Sequence, residues 1–216
     1  MLCWLCLALT KKPNLPLPPN LHSFRPVDPD LTTDASAGEW LAALPRPLTY
    51  LTLGTIFNLE SGDLFERALA GLRELPGSVV VTLGRDLDPA TLGRQPASVH
   101  VHRFIPQSVV LPCCDLVVSH AGSGSVIGAL AHGLPMVLLP MGADQPLNAA
   151  RAEALGVAQV LNAVDATSAE IQRAARTVLS EPGYRRRAEL IRDEIDALPG
   201  PGHAVELIEQ LSCSGS

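Results

Sequence analysis

The chain has 216 residues, a length for which one domain of ordinary size is expected. Hydrophobic residues make up 47% of it, as in globular proteins, and the formal net charge at pH 7 is -6. The short basic run Arg185–Arg187 stands alone, so the composition argues against a nucleic-acid-binding protein. An anionic ligand would have to be bound locally, by helix ends and directed hydrogen-bond donors rather than by a general positive field.

The N-terminal stretch 1–47 is rich in Pro and is predicted to be a leader or interdomain linker, with the main domain at 48–212. Within the leader we expect a short strand at Leu21–Phe24 and a short helix near Ala37–Ala43. The apolar residues 1–9 are too few to span a bilayer and lack the features of a signal peptide, so no membrane span is predicted. The five Cys residues are scattered, which favours reduced thiols and a cytoplasmic location.

From Leu48 onward, apolar runs of strand length alternate with stretches of helical periodicity. The predicted strands are Leu48–Leu53, Ser78–Leu83, Val99–Arg103, Asp115–Ser119, Met136–Leu139 and Val157–Leu161. The predicted helices are Gly62–Leu75, Ser123–His132, Leu147–Leu155, Ser168–Ser180, Tyr184–Leu198 and His203–Leu211. Because the strands are apolar throughout, both faces of their sheet should be covered. We therefore predict an α/β fold with a single Rossmann-like, doubly wound parallel sheet.

Four loops that carry polar or aromatic residues follow predicted strands directly. They contain Thr55, Phe104–Gln107, His120–Ser125 and Asp144–Asn148. Ligands of doubly wound sheets bind at the carboxyl ends of the strands, where these four loops would meet. This agreement predicts one ligand site at that edge of the sheet.

The loop after the fourth predicted strand has the sequence SHAGSGS, from Ser119 to Ser125. Its Gly residues allow tight turning, and the unpaired amides that open the next helix favour an anion. The side chain of His120 can donate to a phosphate oxygen. The candidate phosphate-binding residues are His120, Ser123, Gly124 and Ser125. A Gly-rich turn with an incidental His stays open as an alternative, whereas neither a P-loop nor a dinucleotide fingerprint is present.

The loop after the fifth predicted strand contains Asp144 and Gln145, which suit hydroxyl groups of a sugar. Asn148, in the first turn of the next helix, would add a donor to a phosphate. The same residues are also a common helix start, because an Asp or Gln before Pro146 can cap a helix. Both interpretations can hold together.

The loop Phe104-Ile105-Pro106-Gln107 offers an aromatic face for a nucleobase and an amide for the base or ribose. A Phe at the end of a strand is equally typical of a buried core residue. The sequence leaves these two alternatives open.

The run from Phe104 to Leu155 resembles the donor-binding signature of the UDP-glucuronosyl/UDP-glucosyltransferase family, also called glycosyltransferase family 1. It most resembles the bacterial branch that glycosylates macrolides and other natural products. The residues that carry the resemblance are His120-x-Gly122-x-Gly124-Ser125, Gly133-x-Pro135 and Asp144-Gln145-x-x-Asn148. The segment Pro47–Thr55 is similar to the family's opening strand and phosphate-side loop.

The resemblance implies the C-terminal half of a GT-B fold, in which two Rossmann-like domains flank the active site. It implies a nucleoside site at Phe104, Ile105 and Gln107, a diphosphate site at Thr55, His120, Ser123, Gly124, Ser125 and Asn148, and a sugar site at Asp144 and Gln145. The implied co-substrate is a UDP- or dTDP-sugar, with no further cofactor, and no metal site is predicted because His, Cys and Asp residues do not cluster with the spacing of metal ligands. The implied reaction is inverting transfer of a hexose to a hydroxyl group of a small molecule.

Two departures from the family pattern matter. Gly128 stands where plant members carry a Glu that grips the ribose hydroxyls, so a dTDP-sugar is as plausible as a UDP-sugar. The family's acceptor-binding domain, which supplies the catalytic base, is not expected ahead of Leu48, so no catalytic residue is assigned. A separate acceptor-binding domain or subunit is then an expected partner. A non-catalytic nucleotide-sugar-binding or partner-binding module is the alternative, and a sugar-nucleotide epimerase fits less well.

Overall fold

The computed structural model describes residues 22–27, 35–54, 62–84 and 87–213. Within them, six parallel strands form one sheet with the order β3-β2-β1-β4-β5-β6. The strands are β1 (Leu48–Thr52), β2 (Ser78–Thr82), β3 (Val99–His102), β4 (Leu116–Ser119), β5 (Met136–Leu138) and β6 (Ala158–Val160). The predicted α/β fold with a single doubly wound parallel sheet is confirmed.

Helices connect the strands and cover both faces of the sheet. They are α1 (Ala35–Ala42), α2 (Leu64–Leu72), α3 (Gln107–Val110), α4 (Ser123–Ala131), α5 (Gln145–Ala154), α6 (Ser168–Ser180), α7 (Pro182–Asp196) and α8 (Pro201–Cys213). The predicted helices α1, α2 and α4 to α8 are confirmed, with ends that differ by up to three residues. The short helix α3 was not predicted, because four residues are too few to display helical periodicity.

The alternation of side chains along each strand divides the apolar residues into two cores. Leu48 and Tyr50 of β1 point into a core covered by α1, α3, α4, α5 and α7. Leu51 and Leu53 point to the opposite face, into a core covered by α2 and α6. The continuous burial of β1, β2 and β4 explains why their sequences are apolar throughout.

The segment before β1 is partly packed against the domain. Leu41 of α1 is fully buried in the first core, and the Trp40 indole lies edge-on to the rings of His100 and His102, with centroids 5.3 Å and 5.1 Å away. Arg46 forms an ion pair of 2.7 Å with Asp115. Part of the predicted linker therefore contacts the packed domain, while the domain boundary at residue 48 stays a prediction.

The strand predicted at Leu21–Phe24 is wrong for the part that the structure describes. Residues 22–27 have no regular secondary structure, and the amide of Arg25 donates to the carbonyl of Pro199, 2.9 Å away, near the start of α8. The ring of Phe24 lies beside that of His203 in α8, with the ring centroids 6.3 Å apart. Across the described residues, no helix has both the length and the apolar character needed to cross a bilayer.

Candidate active site at the carboxyl edge of the sheet

The sheet order reverses between β1 and β4, which makes the ends of these strands the topological switch point of the fold. Thr52, the last residue of β1, pairs with Ser119, the last residue of β4. The loops that follow are thus brought side by side, with Gly54 on one side and His120 on the other. This is the position at which ligands of doubly wound sheets bind.

The imidazole of His120 lies between two glycines that have no room for a side chain. A Cβ atom on Gly54 would lie 2.7 Å from the His120 ring, and one on Gly122 would lie 2.4 Å from its Nε2 atom. Gly54 also has a φ of +78°, which L-residues with side chains rarely adopt. Both glycines therefore help to fix the place of the imidazole.

The described chain has two non-glycine residues with a positive φ, and both adjoin predicted site residues. Ala121, with φ 64°, follows His120, and Ala143, with φ 53°, precedes Asp144. Such conformations cost free energy and are concentrated at functional sites, where the surrounding structure holds them in place. The strain supports the assignment of these two loops to a binding site.

His120 is predominantly neutral near pH 7 in this structure. Burial lowers the pKa of its imidazole, an effect that the Asp144 carboxylate and the Thr52 backbone only partly offset. Its Nδ1 atom is buried and has no hydrogen-bond partner of normal geometry among the described residues. An arriving dianion would favour the protonated ring, which can donate to it.

Helix α4 begins directly after this loop, with Gly122 as its N-cap residue. Ser123, Gly124 and Ser125 form its first turn, so their amides lack acceptors within the helix. The positive end of the helix dipole lies at the same place. The backbone of these residues, together with the imidazole, is suited to binding an anion.

A cluster of hydrogen bonds joins the start of α4 to the start of α5. The Ser123 hydroxyl donates to Asp144 Oδ2 over 2.5 Å, and Asn148 Nδ2 donates to the same oxygen over 2.9 Å. Asn148 Nδ2 also lies 3.0 Å from the Ala121 carbonyl oxygen and 3.2 Å from Ser123 Oγ. The bonds from Ser123 and Asn148 lower the pKa of Asp144, so this carboxylate is ionised at neutral pH.

These contacts change the roles expected of three residues. The Asp144 carboxylate makes no capping bond to the first turn of α5, a turn that lies wholly within the described residues, so the interpretation of its side chain as a helix cap is wrong. Asn148 is buried, with 4% exposure, and its two amide hydrogens already face three acceptors, so it positions neighbours rather than offering a spare donor. The Gln145 Oε1 atom accepts from the amides of Met141 and Gly142, which fixes the loop before α5.

The loop after β3 is built differently. The side chain of Phe104 is 44% exposed, so the alternative of a buried Phe is wrong. Ile105 is 7% exposed and packs in the first core, so its side chain does not reach a ligand and only its backbone remains for the predicted nucleoside contact. Gln107 Nε2 makes a long hydrogen bond of 3.5 Å to Ser125 Oγ, which links this loop to α4.

Sequence reasoning missed the contact between Ser123 and Asp144 and the packing role of Gly54. The first depends on two loops that are 21 residues apart in sequence, and a single sequence gives no signal for it. The glycine at the end of a strand was a signal that could have been used for the second.

Thr55, predicted to bind the diphosphate, lies outside the described residues. In the described part of the chain, no group of three or more His, Cys, Asp or Glu side chains is arranged to hold a metal ion.

Comparison with known proteins identifies the family. Residues 66–211 match the family model described as "Erythromycin biosynthesis protein CIII-like, C-terminal domain". The chain belongs to this family. The membership confirms the resemblance drawn from the motifs, and the fold is that of the C-terminal domain of GT-B glycosyltransferases.

Relatives of this erythromycin CIII-like domain are glycosyltransferases of natural products. The chain is 34% identical over 166 residues to demethyllactenocin mycarosyltransferase of Streptomyces fradiae, covering 77% of this chain and 36% of the relative. It is 36% identical over 186 residues to 4'-demethylrebeccamycin synthase of Lentzea aerocolonigenes, covering 86% and 43%. The chain thus spans less than half the length of these curated relatives.

Solved structures give the same picture. The glycosyltransferase SnogD of Streptomyces nogalater superposes with a TM-score of 0.73 at 28% identity, covering 90% of this chain and 52% of that one. The glycosyltransferase VinC in complex with dTDP superposes with a TM-score of 0.75 at 27% identity, covering 91% and 49%. The described domain therefore corresponds to about half of each of these enzymes.

Proposed function

We propose that this chain is the donor-binding domain of a glycosyltransferase that transfers a hexose from a nucleoside diphosphate sugar to a hydroxyl group of a small molecule. The observation that carries the proposal is the convergence of an imidazole, the amides of a helix N-terminus and an ionised carboxylate at the switch point of the sheet. His120 and α4 suit a diphosphate, and Asp144 suits the hydroxyl groups of the adjoining sugar.

In the reaction that we propose, the acceptor oxygen attacks the anomeric carbon while the bond from that carbon to the diphosphate breaks, which inverts the configuration. Negative charge builds up on the leaving diphosphate. The amides of α4 and the protonated imidazole of His120 would stabilise that charge, and groups aimed in this way act without a metal ion. The base that takes the proton of the acceptor would come from an acceptor-binding domain or subunit, so no residue of this chain is given that role.

Gly128 is relevant to which nucleotide the donor carries. A Cβ atom at this position would lie 3.0 Å from Leu111 Cδ1 and 3.2 Å from Gln107 Oε1. The present side chains therefore leave little space for the Glu that plant members of the wider family carry, and no carboxylate is available here for a ribose 2'-hydroxyl. Together with the dTDP bound to VinC, this supports a dTDP-sugar as a donor at least as well as a UDP-sugar.

Calorimetry of the full chain with UDP and dTDP tests the proposal. We expect saturable binding of one of them, and we expect His120→Ala to weaken it at least about tenfold, since a charge-assisted hydrogen bond is lost. An unchanged affinity in this variant, with the fold intact by circular dichroism, would contradict the assigned role of His120.

A second candidate is a non-catalytic module that binds a nucleotide sugar or a protein partner. The two candidates differ when an acceptor-binding domain of a relative is supplied in trans. An enzyme would then release nucleoside diphosphate in the presence of an acceptor, whereas a binding module would not. In either case we propose a cytoplasmic protein, which the free thiols of Cys113 and Cys114 support.

A further inference from the structure

The Ser123 hydroxyl has a single proton, for which Asp144 and a bound diphosphate would compete as acceptors. In this structure it donates to Asp144 Oδ2 over 2.5 Å, a length typical of a strong bond to a carboxylate. A diphosphate held by the first-turn amides of α4, as proposed above, would present a second acceptor to this hydroxyl, because Ser123 belongs to that turn. It cannot donate to both, because a Ser hydroxyl carries one hydrogen.

The carboxylate is held in this place by α5. Asn148 Nδ2 donates to Asp144 Oδ2 over 2.9 Å and also bonds the carbonyl of Ala121 over 3.0 Å. Asn148 is buried, so it has little freedom to release Asp144. The negative charge of Asp144 is therefore fixed beside the first turn of α4.

This arrangement works against a bare nucleoside diphosphate. A phosphate oxygen bonded to Ser123 would lie within about 5 Å of the Asp144 carboxylate, as two consecutive hydrogen-bond lengths allow. It would have to displace the Asp144 carboxylate as the acceptor of the Ser123 proton and stay beside that like charge. A sugar removes both obstacles, because its hydroxyls donate to Asp144 and free Ser123 for the phosphate.

We propose that the Ser123–Asp144 pair is a specificity device, which makes the site prefer a sugar-bearing nucleotide to the nucleoside diphosphate that remains after transfer. The inference rests on the proposed function and adds to it a cause for release of the product. It assigns to Ser123 a role that depends on whether a sugar is attached.

The experiment is a double-mutant cycle on the full chain, with affinities measured by calorimetry. The ligands are UDP, dTDP and their glucose conjugates, and the variants are Ser123→Ala, Asp144→Asn and the double variant. We expect Asp144→Asn to tighten binding of the nucleoside diphosphate and to weaken binding of the sugar conjugate, each by about three- to tenfold. Ser123→Ala alone should change the affinity for nucleoside diphosphate less than about twofold. In the Asp144→Asn background the hydroxyl proton of Ser123 is free for the phosphate, so the same substitution should weaken binding about fivefold.

Ser125→Ala is the matched control. Ser125 lies in the same first turn of α4, but its hydroxyl bonds Gln107 rather than Asp144. Its substitution should therefore have the same effect on nucleoside diphosphate binding in both backgrounds.

The possible results separate the two proposals. If the unmodified chain binds neither kind of ligand, the proposed function fails and this inference with it. If the unmodified chain binds them, but Asp144→Asn weakens both ligands equally, the specificity role of the pair is refuted while the binding function stands. The same holds if Ser123→Ala costs equal affinity in both backgrounds.

Discussion

The loop after β4 and the loop after β3 lie at the same edge of the sheet, yet they are built in opposite ways. The first holds His120 between two glycines, contains a strained backbone at Ala121, and is bonded to α5. The second contains the buried Ile105, and its Gln107 makes a long hydrogen bond to Ser125 of α4. Under the proposed function, the diphosphate side of the site would be organised in advance, while its nucleoside side would adapt to the ligand.

The largest effect is expected from filling the space beside the imidazole of His120, which tests this difference between the two loops. Gly122→Ala places a methyl group 2.4 Å from His120 Nε2, although Gly122 has a φ of -61°, which Ala adopts without strain. We expect nucleotide affinity to fall by roughly ten- to a hundredfold, since the displaced imidazole would lose a charge-assisted hydrogen bond of about 1.5–3 kcal/mol. Calorimetry with UDP and dTDP measures the change.

Gly124→Ala is the control for that variant, because a Cβ atom there would meet nothing within 4 Å. It lies two residues further along in the same first turn of α4. If both alanine variants reduced affinity to the same extent, a general sensitivity of the helix start would explain the loss, and the role of Gly122 in holding His120 would be wrong.

A smaller loss of affinity is expected from a substitution in the loop after β3. Phe104→Ala removes an exposed ring that could stack on a nucleobase, and base stacking on an aromatic side chain contributes about 1–3 kcal/mol. We expect UDP and dTDP to bind roughly tenfold more weakly, while inorganic pyrophosphate, which has no base, is bound as before. An equal loss for all three ligands in competition calorimetry would place Phe104 away from the nucleoside.

The smallest expected effect is a dependence of affinity on pH. Burial lowers the pKa of His120 in the free protein, and a bound diphosphate should raise it, so binding takes up a proton between the two pKa values. Affinity should therefore be highest below the free-state pKa and decrease as the pH rises through the pKa of the complex. Calorimetry at neutral pH in buffers of different ionisation enthalpy measures this proton uptake. If the unmodified chain took up no proton on binding, His120 would be neutral in the complex and the prediction would be wrong.

The sequence predicted the sheet, the longer helices of the main domain and the loops that meet at its edge, because strand and helix periodicities are local properties. It could not predict that Asn148 uses its amide hydrogens within the protein, or that Asp144 bonds Ser123, because these contacts form only when α4 and α5 pack side by side. It also could not predict that the side chain of Ile105 is buried, since an apolar residue between two predicted site residues gives no sign of the direction in which its side chain points.

The packing of α1 has a practical consequence for work on this chain. A recombinant fragment trimmed to start at the first strand would lose Leu41 from the interior and Trp40 from beside the two imidazoles of the edge strand. Loss of a buried Leu side chain alone typically costs about 2–5 kcal/mol, a large share of the stability of a domain this size. Expression vectors should retain the codons from residue 35 onward, so that the edge of the sheet keeps its cover.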